Sequence, residues 1–119
     1  MQNKTSVPPL AADVILQIVE LLSSGSFDAA IDKCRCSRLT SDALRECVRN
    51  YGRTLTPPPP GGALRELDAV QMRSSGHPAW SVRVPLWTRE EGRSDLTLEL
   101  TVSMHGGNVE VSLDDLHVL

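Results

Sequence analysis

The spacing of apolar residues changes period once along this chain. From Leu10 to Leu22, the residues Val14, Ile15, Ile18, Leu21 and Leu22 form one stripe at helical spacing. Pro8 and Pro9 precede the stripe, where proline suits a helix start, and Ser23-Ser24-Gly25 stops it. Phe27, Ala30, Ile31 and Cys34 repeat the i, i+3, i+4, i+7 pattern, with Ser26 as candidate cap and Asp28 in the first turn. Leu44, Cys47, Val48 and Tyr51 repeat it again. This third helix starts at Thr40 or Ser41, and Gly52 stands where a left-handed residue closes a helix. Residues 1–9 read as a frayed arm.

Beyond the helices the period falls to 2. Trp80, Val82, Val84 and Leu86 alternate with Ser81, Arg83, Pro85 and Trp87. Leu96, Leu98, Leu100, Val102 and Met104 alternate with Thr97, Glu99, Thr101 and Ser103, and Val109, Val111 and Leu113 with Glu110 and Ser112. His105-Gly106-Gly107-Asn108 reads as a hairpin turn. Residues 66–73 are an ambiguous first strand. One-sided alternation marks an antiparallel sheet with one face in the core and one in water. Residues 54–62, rich in proline and glycine, read as a stiff connector and not as helix or central strand. The expected fold is therefore α+β in a single domain. A helical part, 10–53, packs as three helices on one face of an antiparallel sheet of about four strands, 63–119.

Composition narrows the function classes. The chain has 119 residues, 40% apolar and 23% charged, which suits one globular domain. Four aromatic residues in the whole chain leave an aliphatic core. The net charge of −3 and the lack of a basic patch argue against direct nucleic-acid binding. Neither a membrane span nor a signal peptide is legible, so a cytoplasmic location is expected. Cys34, Cys36 and Cys47 form no CxxC pair and read as free thiols, of which Cys34 and Cys47 pack as small hydrophobes.

No catalytic, cofactor or metal constellation is complete. His77, His105 and His117 lack sequence-adjacent metal partners, and there is no phosphate-binding glycine loop. Glu90 and Glu91, with Asp95 close by, sit among Arg89 and Arg93 in a stretch that reads as a solvated polar turn. Charge is uneven: residues 1–60 carry 7 Lys/Arg and 6 Asp/Glu, whereas residues 61–119 carry 5 and 9. An acidic sheet half would attract a basic partner and speed its capture. The alternative is a face that only solvates the domain. Trp87 falls on the polar face beside Arg83, as a binding hot spot would. Alternatively Pro85, which implies an edge strand or a bulge, turns Trp87 inward.

The segment from Trp80 to Leu100, WSVRVPLWTREEGRSDLTLEL, and the ending LDDLHVL from Leu113 to Leu119, resemble a pattern in small bacterial proteins. Some of these look like immunity proteins of contact-dependent growth inhibition and related polymorphic toxin systems. The resemblance implies a cytoplasmic, non-enzymatic monomer that binds a cognate protein toxin domain one to one. Such toxins are often basic nucleases, tRNases among them, and an acidic surface could occlude the substrate cleft. Partner contacts are then expected at Trp87, Glu90, Glu91, Asp95, Glu99, Glu110, Asp114 and Asp115. The alternative is a small-molecule-binding or enzymatic domain with a pocket between helices and a curved sheet, as in the nuclear-transport-factor-like cone. A further alternative is a homodimer whose sheet pairs with its own copy.

Overall fold

Glycine punctuation sets the helical part. Helix α1, Pro9–Ser23, ends where Gly25 takes a left-handed φ of 80°. The Ser26 and Gly25 amides then donate to the carbonyls of Leu21 and Leu22, at 2.8 and 3.1 Å, closing the last turn. Helix α2 spans Phe27–Asp32. Its candidate cap, Ser26, makes no capping bond through its side chain. Instead the Asp28 carboxylate accepts from the Ser41 hydroxyl and ties α2 to α3. Strand β1, Cys36–Ser37, intervenes before α3, Ser41–Tyr51. The Thr40 side chain caps α3 by accepting from the Ala43 amide at 3.1 Å, and Gly52 ends the helix with a φ of 77°. This is the punctuation the sequence announces.

This computed structural model describes residues 7–72 and 76–119. The first six residues of the expected arm, and Arg73 at the end of the ambiguous first strand, lie outside them.

The sheet is larger than expected. After β2, Leu55–Thr56, and α4, Gly62–Glu66, come β3, Asp68–Met72, β4, Ala79–Thr88, β5, Gly92–His105, and β6, Asn108–Val118. The strand order is β1-β6-β5-β4-β2, with β3 also on β4. Among the described residues, four helices and six strands thus replace the expected three and about four. Two of the strands have only two residues, too short to show a period. The sheet is also not wholly antiparallel, because β1 runs parallel to β6.

The two long strands extend past their expected ends for local reasons. A three-residue loop joins Thr88 to Gly92, whose φ of 76° lets pairing resume at once. Residues 92–95 are therefore strand and not polar loop. Opposite Leu86, β5 carries Ser94, Asp95 and Leu96, two extra residues, so the facing of the strand is preserved. In β6, Asp114 and Asp115 form a second bulge opposite Glu99, after which Leu116 points inward again. Pro85 sits at the first bulge, and also in the gap between β3, which pairs as far as Arg83, and β2, which pairs from Trp87. A proline is tolerated in this central strand because the ladders are interrupted there.

The core lies between α1 and the inward face of the sheet. Ile15, Ile18, Val19 and Leu22 of α1 are fully buried with Val82, Val84 and Leu86 of β4, Leu98, Leu100 and Val102 of β5, and Leu113 of β6. Each such side chain contributes about 1.5–3 kcal/mol of transfer free energy. Trp80 faces this core and is 7% exposed. No helix among the described residues is long and apolar enough to cross a membrane.

Candidate functional site

The outward face of the sheet carries what chemistry the domain presents. Alternation puts Asp68 of β3, Arg83 of β4 and Glu99 of β5 in one cross-strand row. Ser81, Arg83 and Asp95 are exposed, whereas Glu99, Thr101 and Ser103 are half-buried. The row continues into β6. The Arg83 Nε lies 3.5 Å from Glu99, and the His117 Nε2 lies 2.5 Å from the same carboxylate. The hydrogen bond that His117 donates to Glu99 raises the His117 pKa above its ordinary value, against the opposing effect of burial.

The other expected contact residues fall into separate groups. Glu110 pairs with Arg35 at 2.8 Å and with His105 at 3.3 Å. Asp114 accepts from the Thr101 hydroxyl at 2.6 Å. Asp115, the exposed bulge residue, accepts from the Leu116 amide. Asp95 is exposed, and its carboxylate has no hydrogen bond or ion pair among the described residues. Glu90 and Glu91 lie apart from this face. Glu90 accepts from the amide and hydroxyl of Thr54, both at 2.9 Å, which holds its carboxyl below the usual range. Glu91 accepts from the Tyr51 hydroxyl at 2.8 Å and from Thr88 at 3.1 Å. These two carboxylates clamp the β4–β5 hairpin to the end of α3 and to the start of β2.

Trp87 remains on the outward side, and the bulge at Pro85 does not turn it into the core. It is nevertheless half-buried, in van der Waals contact range of two glycines. A Cβ on Gly62 would lie 3.3 Å from its Cζ2, and one on Gly92 3.7 Å from its Cζ3. Its indole Nε1 is buried without a hydrogen-bond partner among the described residues. Of the two, only Gly62 is held to glycine by this packing; Gly92 is set by its φ of 76°.

A second polar group gathers at the other end of the sheet. The rings of His77 and His105 stack with centroids 4.0 Å apart. His105 Nε2 is 3.1 Å from the Ser103 hydroxyl and 3.3 Å from Glu110. A serine–histidine–carboxylate triad needs the two ring nitrogens to serve different partners. Here both partners share Nε2, so this arrangement does not relay a proton from serine. Among the described residues no group of three or more His, Cys, Asp or Glu side chains is placed to hold a metal ion. Cys34 is half-buried, and burial pushes its thiol up to about 11. Cys36 is exposed and lies 3.2 Å from the Ser112 hydroxyl.

Among the depressions in the surface of the sheet, two concern these residues. One of about 320 Å³ lies on the outward face, between Asp68, Arg83, Arg93 and Asp95. The other, about 440 Å³, opens at the seam of α3 and β6 and is lined by Cys47, Tyr51, Leu96, Leu116 and His117. Burial and neighbouring carboxylates raise the Cys47 thiol at its edge.

The comparison with curated proteins finds no match. A family model described as a domain of unknown function, DUF7668, matches residues 19–119. That span contains the whole sheet, both polar clusters and every helix but the first ten residues of α1, and the chain belongs to the DUF7668 family.

Proposed function

We propose that this domain is an immunity protein. On this reading it binds a cognate toxin domain one to one and neutralises it without turnover, and the outward face of the sheet is the binding surface. One observation carries the reading. On this partly exposed face the carboxylates of Glu66, Asp68, Asp95, Glu99, Glu110 and Asp114 outnumber the guanidinium groups of Arg35, Arg83 and Arg93 around it. Such a surface suits the basic cleft of a nuclease, a tRNase included, where it would stand in for substrate phosphates. Glu90, Glu91 and Trp87 have structural work at the hairpin, so the interface centres on Asp95, Glu99, Glu110 and Asp114. Asp115 lies at its edge. The pairs already made on this face hold its side chains in place and reduce the ordering cost of association.

The seam groove between α3 and β6 favours a second reading, a small-molecule-binding domain. It lies at the rim, because aliphatic side chains fill the space between α1 and the sheet.

The test is affinity capture of the tagged chain from its native lysate, with mass spectrometry of what co-purifies in equal amount. The expected result is a basic toxin fragment whose nuclease activity the purified chain abolishes. A bound metabolite with no stoichiometric protein partner would overturn the inhibitor reading in favour of the second.

A further inference from the structure

The outward cavity contains an opposed charge pair that does not close. Asp68 and Arg83 are register partners on adjacent strands. Residues so placed have Cβ atoms about 4.5–5.5 Å apart, near enough for an aspartate and an arginine to bond directly. They do not: no ion pair among the described residues joins them. The Arg83 guanidinium leans the other way, its Nε 3.5 Å from Glu99. The space left beside Asp68 is part of a cavity of about 320 Å³, and the same two residues line a neighbouring depression of about 240 Å³.

The rest of the cavity repeats the pattern. Arg93 and Asp95 both line it, two residues apart at the first bulge of β5. Arg93 is held by Glu66 at 3.0 Å through one of its nitrogens, and the Asp95 carboxylate is unpaired among the described residues. Pro85 and Leu119 supply an apolar wall, and the buried Ser94 and Thr97 form the floor. Their hydroxyls are engaged by the carbonyls of Leu86 and Asp95, so the floor is rigid. The volume is at the lower end of the range for small-molecule sites, about 300–1,000 Å³.

We propose that this cavity binds a small zwitterion of amino-acid type. Its ammonium faces Asp68, its carboxylate faces Arg83, and its side chain runs along Pro85 and Leu119. An acid and a base that are register partners but not bonded to each other favour a ligand carrying both charges over a simple anion or cation. A simple anion would meet Glu66, Asp68 and Asp95, and a simple cation Arg83 and Arg93. The site does not depend on the inhibitor reading, and its test contains no protein partner, so either can fail alone.

The experiment is a titration of the ¹⁵N-labelled full chain with L-leucine, followed by amide shifts. n-Butylamine and acetate serve as probes that each carry one of the two charges. The expected result is saturable shifts at Arg83, Asp95 and Thr97, with each single-charge probe binding at least about tenfold more weakly. Asp68→Asn and Arg83→Gln should each weaken L-leucine by about tenfold or more while the spectrum stays dispersed. Absence of saturable shifts at these amides would overturn the proposal. So would equal response to butylamine or acetate, or full binding by both folded variants.

Discussion

Glu99 shows how single residues here acquire meaning only through distant partners. In the sequence it is one polar position of an alternating strand. In the fold it receives Arg83 from one neighbouring strand and His117 from the other. Glu90 and Glu91 are similar. Read alone they form a solvated carboxylate pair, yet Thr54 and Tyr51, which come 36 and 40 residues earlier, engage them. No local pattern encodes such pairings, because they depend on where the hairpin meets α3. The Glu99–His117 pair has a testable sign. The folded chain raises the His117 pKa above 6.5. Its protonated form is therefore the favoured one, and the pair stabilises the fold fully below about pH 6.5, losing that contribution as pH rises through the raised value. An NMR titration of the imidazole protons should show His117 titrating above an ordinary histidine, with Glu99→Gln returning it toward 6.5. A wild-type His117 that titrates as an exposed histidine would contradict the pairing.

Among elements, legibility follows length and local punctuation. Helix α3 announces both ends through Thr40 and Gly52, and the β5–β6 hairpin through Gly106 and Gly107, whose φ values are 57° and 88°. Strands β1 and β2 could not be read, since two residues show no period and both form only by lying against strands more than thirty residues away. Helix α4 was hidden by its start, Gly61-Gly62, which reads as a turn. Yet Gly62 is required there by packing. A Cβ would come within 3.0 Å of the Pro59 ring and 3.3 Å of Trp87. The proline ring cannot swing away, so Gly62→Ala should destabilise the domain by about 1–3 kcal/mol in urea denaturation, as overpacking does. Unchanged stability would mean that residues 57–60 are not fixed against Trp87.

At the scale of the molecule, the α+β class, helices together with one alternating sheet, was legible because burial of apolar faces leaves few arrangements, whereas the helix arrangement and the strand count were not. The distribution of charge was legible in sign but not in layout. The acidic excess of the second half is real, but Arg35, which comes from the helical half, neutralises Glu110. Exposed pairs of this kind contribute only about 0–1 kcal/mol each, so they shape the surface more than they stabilise the fold. The central claim, that this outward face captures a basic protein partner, is tested most directly by the association rate of the captured partner over a range of ionic strength. Asp95→Lys with Glu110→Lys should slow association by about tenfold at low salt and flatten its salt dependence, while Glu90→Gln leaves both unchanged. An association rate indifferent to the Asp95 and Glu110 reversals would remove the outward face as the binding surface.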